Sequence, residues 1–311
     1  MRTLRFRQYG DPADVLHLEE VEPPRPGPGQ IRAAVQTCGL TPADWALCRG
    51  LFAGELPRGI GLEVSGTVDA IGDDVTGVQI GDAVLGPVPY IGATAGASEH
   101  AVLDIWFRRP PGLDPADAAA LPMAVETAYR GLDELGVSAD STVLVHGAGS
   151  TVGFAAVQIA VQRGARVIAT AGETYAEALR ATGAEVTSYG DGMVERVTAL
   201  AGGPVDVVLD TAPVSNALPD LVHTVQAPHD VLTLSDFAAA GELGVRVSSG
   251  AAASRNDVLG GYAELAAMGR FSVPVARTFA LDDWRTALEL SRSGRAHGKL
   301  VLSIGRDVSA K

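Results

Sequence analysis

Between Ser141 and Gln162 the chain carries no Asp, Glu, Lys or Arg. No other stretch restricts the fold as much. Twenty-two uncharged residues could cross a membrane, but the run includes His146, Ser150, Thr151, Gln158 and several glycines. It therefore reads as a buried strand, Thr142–His146, a glycine-rich turn and a helix over Val152–Arg163.

The same alternation recurs further along the chain. Arg166–Thr170, Glu185–Thr187, Val205–Asp210, Asp230–Leu234 and Val245–Ser248 read as further strands. Tyr175–Thr182, Met193–Ala201 and Asn216–Gln226 read as the helices between them. This spacing predicts a parallel sheet with helices on both faces, and Val/Ile/Leu-rich strands suit burial on both sides.

The first 115 residues differ in texture. Short β-like runs at Ile31–Thr37, Val64–Ile71 and Ala83–Leu85 alternate with turn signals such as Pro26-Gly27-Pro28-Gly29. They predict a small irregular β-barrel or sandwich. Glycine is abundant, 37 of 311 residues, against a usual level of roughly 7%. Asp114 before Pro115 marks a helix start, and 116–135 reads as one or two helices. Helices at 256–268 and 282–293 and strands at Val275–Phe279 and Lys299–Ser303 close the chain and can rejoin the first region. The length suggests about two domains.

Charge narrows the function classes. Twenty-four basic against 37 acidic residues leave a formal net charge of −13. That excludes the basic footprint of a nucleic-acid binder and argues against an anionic membrane surface. Two cysteines, Cys38 and Cys48, form no disulfide framework and suit a reducing compartment. The N-terminus lacks an apolar signal region, so a cytoplasmic protein is expected.

The turn His146-Gly147-Ala148-Gly149-Ser150-Thr151-Val152-Gly153 lies where an α/β sheet binds a pyrophosphate, facing the N–H groups and positive dipole end of a helix. In the GxGxxG frame ending at Gly153, the other two positions hold Ala148 and Ser150. A purely structural glycine-rich turn is the alternative. After the second strand, where an acid would hold the ribose 2′-OH of NAD, the chain has Ala171. Gly172 and Glu173 come next, and Arg180 lies further along the helix.

The motifs Gly39-Leu40-Thr41-Pro42-Ala43-Asp44-Trp45, Gly61-Leu62-Glu63-Val64-Ser65-Gly66 and Gly81-Asp82-Ala83-Val84 come in a specific order. They are followed by Ala118-Ala119-Ala120-Leu121-Pro122, Glu126-Thr127-Ala128-Tyr129, the 143–153 strand and turn, and Gly298-Lys299-Leu300-Val301-Leu302. In this the chain resembles the zinc-independent, quinone-oxidoreductase-like branch of the medium-chain dehydrogenase/reductase superfamily. The resemblance implies an α/β protein with a GroES-like catalytic β-barrel at 1–120 and 270–311. A Rossmann doubly wound parallel-sheet domain at 121–269 would be inserted between those parts, with the active site in the cleft. It also implies a homodimer and hydride transfer from NADPH, with NADH not excluded, to a small apolar quinone or activated alkene.

By that resemblance Thr41 is the substrate-side hydrogen-bond donor, standing where relatives often have Asn. Trp45 and Tyr90 are pocket candidates, with barrel core and a solvent-facing loop as their respective alternatives. The cofactor would contact Thr127 and the turn residues Gly149, Ser150, Thr151, Val152 and Gly153. It would also contact Ala171, Gly172 and Tyr189 at the adenosine end, and Thr211, Leu234 and Ser235 at the next strand ends. No zinc is expected: Thr41 and Leu62 stand where zinc-dependent relatives have Cys and His, and the cysteine spacing fits no standard site. The losses at Thr41, Ala46, Ser150 and Pro213-Val214 keep a second possibility open, a non-catalytic cofactor-binding sensor or partner protein.

Overall fold

A computed structural model describes residues 1–213, 215–248 and 254–305; Val214 falls outside them. The chain forms two compact units, one built from Met1–Met123 and the part from Leu259 onward, the other from Ala124–Val258. The helix Leu259–Ala267, which the sequence places within 121–269, belongs to the first unit. A Cβ on its Gly260 would lie 3.0 Å from the Phe107 ring.

In the first unit the hub is the strand Ile31–Leu40. It pairs antiparallel with Glu63–Ile71, His100–Leu103 and Lys299–Ser303. Its first half alternates buried Ile31, Ala33 and Val35 with half-buried neighbours, the period of a strand with one face on a core. The pairing of Leu300 with Leu40 and Leu302 with Cys38 brings the C-terminal strand back into this sheet, and Val275–Ala280 runs parallel to it on the outside. Ala83–Pro87 and Phe107–Arg108 complete the seven strands. A second sheet joins Leu16–Glu20, Arg2–Phe6 and Arg58–Gly59. Leu4, Phe6, Leu16, Ile60, Val64, Leu103 and Leu302 are buried between these elements, each contributing roughly 1.5–3 kcal/mol by burial.

A charged pair crosses this core. Lys299 Nζ bonds Glu63 Oε1, and the Met123 N–H donates to Glu63 Oε2 at 2.8 Å. Both side chains are almost wholly buried. Gly39 makes room for them, since a Cβ there would lie 2.6 Å from Glu63 Oε1 and 2.4 Å from the Ala119 carbonyl.

The second unit is a six-stranded, all-parallel sheet. Across it lie Glu185–Thr187, Arg166–Thr170, Thr142–His146, Val207–Asp210, Val231–Thr233 and Arg246–Val247. Counted along the chain this is order 3-2-1-4-5-6, the Rossmann arrangement, whose switch point lies between the first and fourth strands. The uncharged run is the central strand, its turn and the helix Thr151–Gln162. Among the described residues no helix is long and apolar enough to cross a membrane.

In this unit two helices depart from the sequence reading. The helix expected at 216–226 is one turn, Leu218–Leu221. The Thr224 hydroxyl and N–H both return to the Leu221 carbonyl and close the turn there. A helix at Phe237–Leu243 was not anticipated; Asp236 caps it by accepting from the Ala239 N–H.

Candidate functional site

The glycine-rich turn is assembled from backbone and hydroxyl groups. Gly147 has φ +73°, and a Cβ on it would lie 2.6 Å from the Ala212 nitrogen. Gly153 is tighter still: a Cβ would lie 2.5 Å from both the Gly147 carbonyl oxygen and Thr211 Oγ1. This is the close helix–strand packing expected of the last glycine in the frame. Ser150 is the N-cap of the helix. Its hydroxyl accepts from the Gly153 N–H at 3.0 Å and donates to Thr211 Oγ1 at 3.2 Å. Thr211 in turn donates to the His146 carbonyl at 2.7 Å. The Ser150 hydroxyl is thus engaged within the turn, and the amides of Thr151 and Val152 are the helix's terminal donors.

Behind the turn, Thr170 Oγ1 accepts from the Gly147 N–H at 3.2 Å and lies 2.8 Å from His146 Nδ1. These two atoms share a hydrogen bond whose direction follows the tautomer of a neutral imidazole. Burial pushes His146 down to about 4, consistent with that neutral ring and a structural role.

At the neighbouring strand ends Asp210 accepts from Thr233 Oγ1 at 2.8 Å and from the Ala212 N–H at 3.2 Å. Burial, with repulsion from Asp236 added, lifts its carboxyl to about 6 despite those bonds. The Leu234 N–H donates to the Asp210 carbonyl, and Ser235 Oγ donates to the Ala212 carbonyl at 2.6 Å. Asp210, Thr233 and Thr170 escaped the sequence reading. The available signal was a polar residue closing an apolar strand, as in Val207-Val208-Leu209-Asp210.

At the adenosine end, Ala171 is buried and donates its N–H to the Thr187 carbonyl. Gly172 caps the helix Glu173–Ala181, and Tyr189, 60% exposed, has its hydroxyl 3.7 Å from where a Gly172 Cβ would stand. From residue 124 to 258 the chain has seven arginines, no lysine and sixteen carboxylates. All seven arginines are engaged. Arg130 pairs with Glu126 and Glu134, Arg163 with Asp133, Arg166 with Glu185, and Arg255 with Asp133 and Asp257. Arg180, Arg196 and Arg246 donate to backbone carbonyls. Thr127 sits in the helix Leu121–Glu134, its hydroxyl 3.5 Å from Glu126 Oε2.

In the first unit, half-buried Thr41 precedes the helix Pro42–Cys48. Its N–H and its hydroxyl both donate to Asp44 Oδ2, at 2.7 and 3.0 Å. The Gly61 N–H donates to Asp44 Oδ1 at 2.7 Å. Trp45 lies in the barrel core, 3% exposed, its indole N–H donated to Ser291 Oγ. Tyr90 is 42% exposed, with its ring 5.1 Å from that of Phe52. Buried Arg58 donates to the Tyr90 and Phe52 carbonyls and holds their two loops together.

These donors do not suit zinc. Thr41 and Leu62 offer no thiolate or imidazole, Glu63 is paired with Lys299, and Asp44 is held by three donors. Among the described residues no group of three or more His, Cys, Asp or Glu is placed to hold a metal. Burial raises the Cys38 thiol well above its usual range and Cys48 to about 12, so neither offers a ready thiolate.

Residues 27–104 match the alcohol dehydrogenase GroES-like domain family, and residues 182–302 match the family described as zinc-binding dehydrogenase. The phthioceranic/hydroxyphthioceranic acid synthase of Mycobacterium bovis is 32% identical over 333 residues, covering 97% of this chain and 15% of that protein. The chain spans at most 15% of the length of such curated relatives. The quinone oxidoreductase of Coxiella burnetii superposes with a TM-score of 0.83 at 27% identity, covering 98% of this chain and 99% of that one. The CurK enoyl reductase shares the fold at 22% identity, with a TM-score of 0.81 over 98% of this chain and 99% of that one.

With a GroES-like barrel and a Rossmann sheet in one chain, the protein belongs to the medium-chain dehydrogenase/reductase superfamily, whose members are oxidoreductases that bind a nicotinamide cofactor. Within it, the chain falls in the quinone-oxidoreductase-like branch.

Proposed function

We propose that the protein reduces a quinone or the activated double bond of an α,β-unsaturated carbonyl compound, using a nicotinamide cofactor and no zinc. The observation that carries this reading is the turn at 146–153. It leads into a helix N-terminus at the switch point of a 3-2-1-4-5-6 sheet, with Gly153 too closely packed for any side chain. The Thr151 and Val152 amides would hold the pyrophosphate, and Ala171, Gly172 and Tyr189 the adenosine ribose. A bound reduced nicotinamide supplies the hydride. Thr41 is the substrate-side hydroxyl, and the donor set around it leaves hydride transfer without a metal as the reading that fits. The names of the Coxiella and CurK relatives support a quinone or enoyl substrate.

We further propose NADPH as the preferred cofactor, by a narrow margin. Ala171 lacks the acid that rejects a 2′-phosphate, and Tyr189 offers a hydroxyl to it. Every arginine of the unit already has a partner, so discrimination rests on about one neutral hydrogen bond, worth roughly 0.5–1.5 kcal/mol or up to about tenfold.

The test is oxidation of NADPH and NADH, followed by nicotinamide absorbance, across quinones and enones of graded size. Turnover of at least one class by metal-free protein is expected. Silence across the panel, or activity only after zinc is added, contradicts the proposal.

A further inference from the structure

Asp44 is fully buried, yet among the described residues no cation is bonded to it. Glu63 on an adjoining barrel strand repels it, the thiols of Cys38 on the neighbouring strand and Cys48 on its own helix feel its charge, and Lys299 is bonded to Glu63. Its three donors come from only two residues. Two are backbone N–H groups, of Thr41 and Gly61, and these cannot exchange roles with an acceptor. The third is the Thr41 hydroxyl, which can. Thr41 is half-buried, and its Oγ joins the enclosed carboxyl to the side chain that the reading above puts on the substrate side.

We propose that Asp44 is the proton reservoir behind Thr41, and that the pair delivers the proton that completes reduction of an activated alkene. This rests on the reductase reading above and on Thr41 facing the substrate. The alkene accepts a hydride from the dihydronicotinamide at its β-carbon, and the π electron pair moves toward the α-carbon and carbonyl as an enolate. The Thr41 O–H bond breaks as a C–H bond forms at the α-carbon. Thr41 Oγ takes the Asp44 proton in the same or the next step. Asp44, now a carboxylate, accepts the N–H and O–H of Thr41 as seen here. After product leaves, a solvent proton returns to it through Thr41. The nicotinamide is oxidised, the alkene is reduced, and one proton is consumed from solvent.

Both protonation states satisfy every donor at this corner. With Asp44 ionised, Thr41 donates inward; with Asp44 protonated, the carboxyl donates to Thr41 Oγ and the Thr41 proton is released toward the substrate. Burial lifts this carboxyl to about 6, within range of neutral pH, which suits a proton donor. Asp44 is on this account a positioning and proton-storing residue that acts through Thr41.

Reduction needs the protonated carboxyl, so kcat/KM for an enone should be level below about pH 6 and fall tenfold per unit above it. Thr41→Val should lower enone reduction about 100-fold and abolish that limb, and Thr41→Ser should restore both. Asp44→Asn should also flatten the profile; if it fails to fold, the Thr41 pair carries the test. Infrared difference spectra of cofactor-free protein give a readout independent of turnover. Two buried protonated carboxyls, Asp44 and Asp210, should appear as pH falls through 6, and only the Asp44 band should shift in Thr41→Val. Three results overturn the relay in an active wild-type enzyme: a level profile from about pH 5 to 8, a limb that survives Thr41→Val, or no carboxyl band that shifts in that variant. A wild-type protein silent toward every quinone and enone overturns the reductase reading itself, and the relay with it.

Discussion

At the His146–Gly153 turn, position is set by backbone atoms and neutral hydroxyls. Gly147 and Gly153 admit close approach, Ser150 caps the helix, and Thr211 ties both to the strand. At the Thr41–Glu63 corner of the barrel, position is set by buried carboxyls. Asp44 gathers Thr41 and Gly61, while Glu63 joins Lys299 to the Met123 N–H. The two constructions tolerate change differently. A site made of peptide groups keeps its electrostatics when side chains drift, so Ser150 can replace the usual glycine and become a cap. A corner made of buried charges depends on each partner, because removing one leaves an uncompensated ion in a medium that solvates it poorly.

The sharpest way to break this contrast is Lys299→Met. It leaves Glu63 buried and unpaired and should destabilise the fold by about 3–5 kcal/mol, read from denaturant midpoints. Replacing Glu63 by Gln in the same chain should recover part of that loss. A loss below about 1 kcal/mol would show that the barrel does not rely on the pair. Gly153→Val comes next. Overpacking against Gly147 and Thr211 should remove about 1–3 kcal/mol of stability and weaken cofactor binding at least tenfold; wild-type affinity in a folded variant would mean the turn is not the site. The smallest effect is that of Ser150→Ala. Loss of the cap should reduce stability by about 1 kcal/mol, while cofactor affinity changes less than about threefold, because the hydroxyl faces Gly153 and Thr211. A tenfold loss of affinity at unchanged stability would instead assign that hydroxyl to the phosphate.

The same contrast explains what could be read in advance. The parallel sheet was legible because apolar strands, glycine turns and helices recur at short spacing, and each piece is local. The role of Gly153 was legible for the same reason. The barrel corner was less so. Thr41 reads as a substrate-side donor, and its hydroxyl lies on Asp44, three residues away, in a Thr-Pro-Ala-Asp pattern that also reads as a helix cap. The partner of Glu63, Lys299, lies 236 residues along the chain, and no local pattern announces that pairing. The bond from Trp45 to Ser291 was equally hidden, since the two residues lie 246 positions apart. The missed helix Phe237–Leu243 is rich in alanine and glycine and offers no clear apolar stripe.

Everything proposed for this chain depends on the turn at residues 146–153 binding a dinucleotide. Titration of the folded, metal-free protein with NADPH and then NADH, followed by nicotinamide fluorescence, tests that most directly. Saturable binding of both is expected, with the dissociation constant for NADPH lower by no more than about tenfold; binding of neither would contradict it.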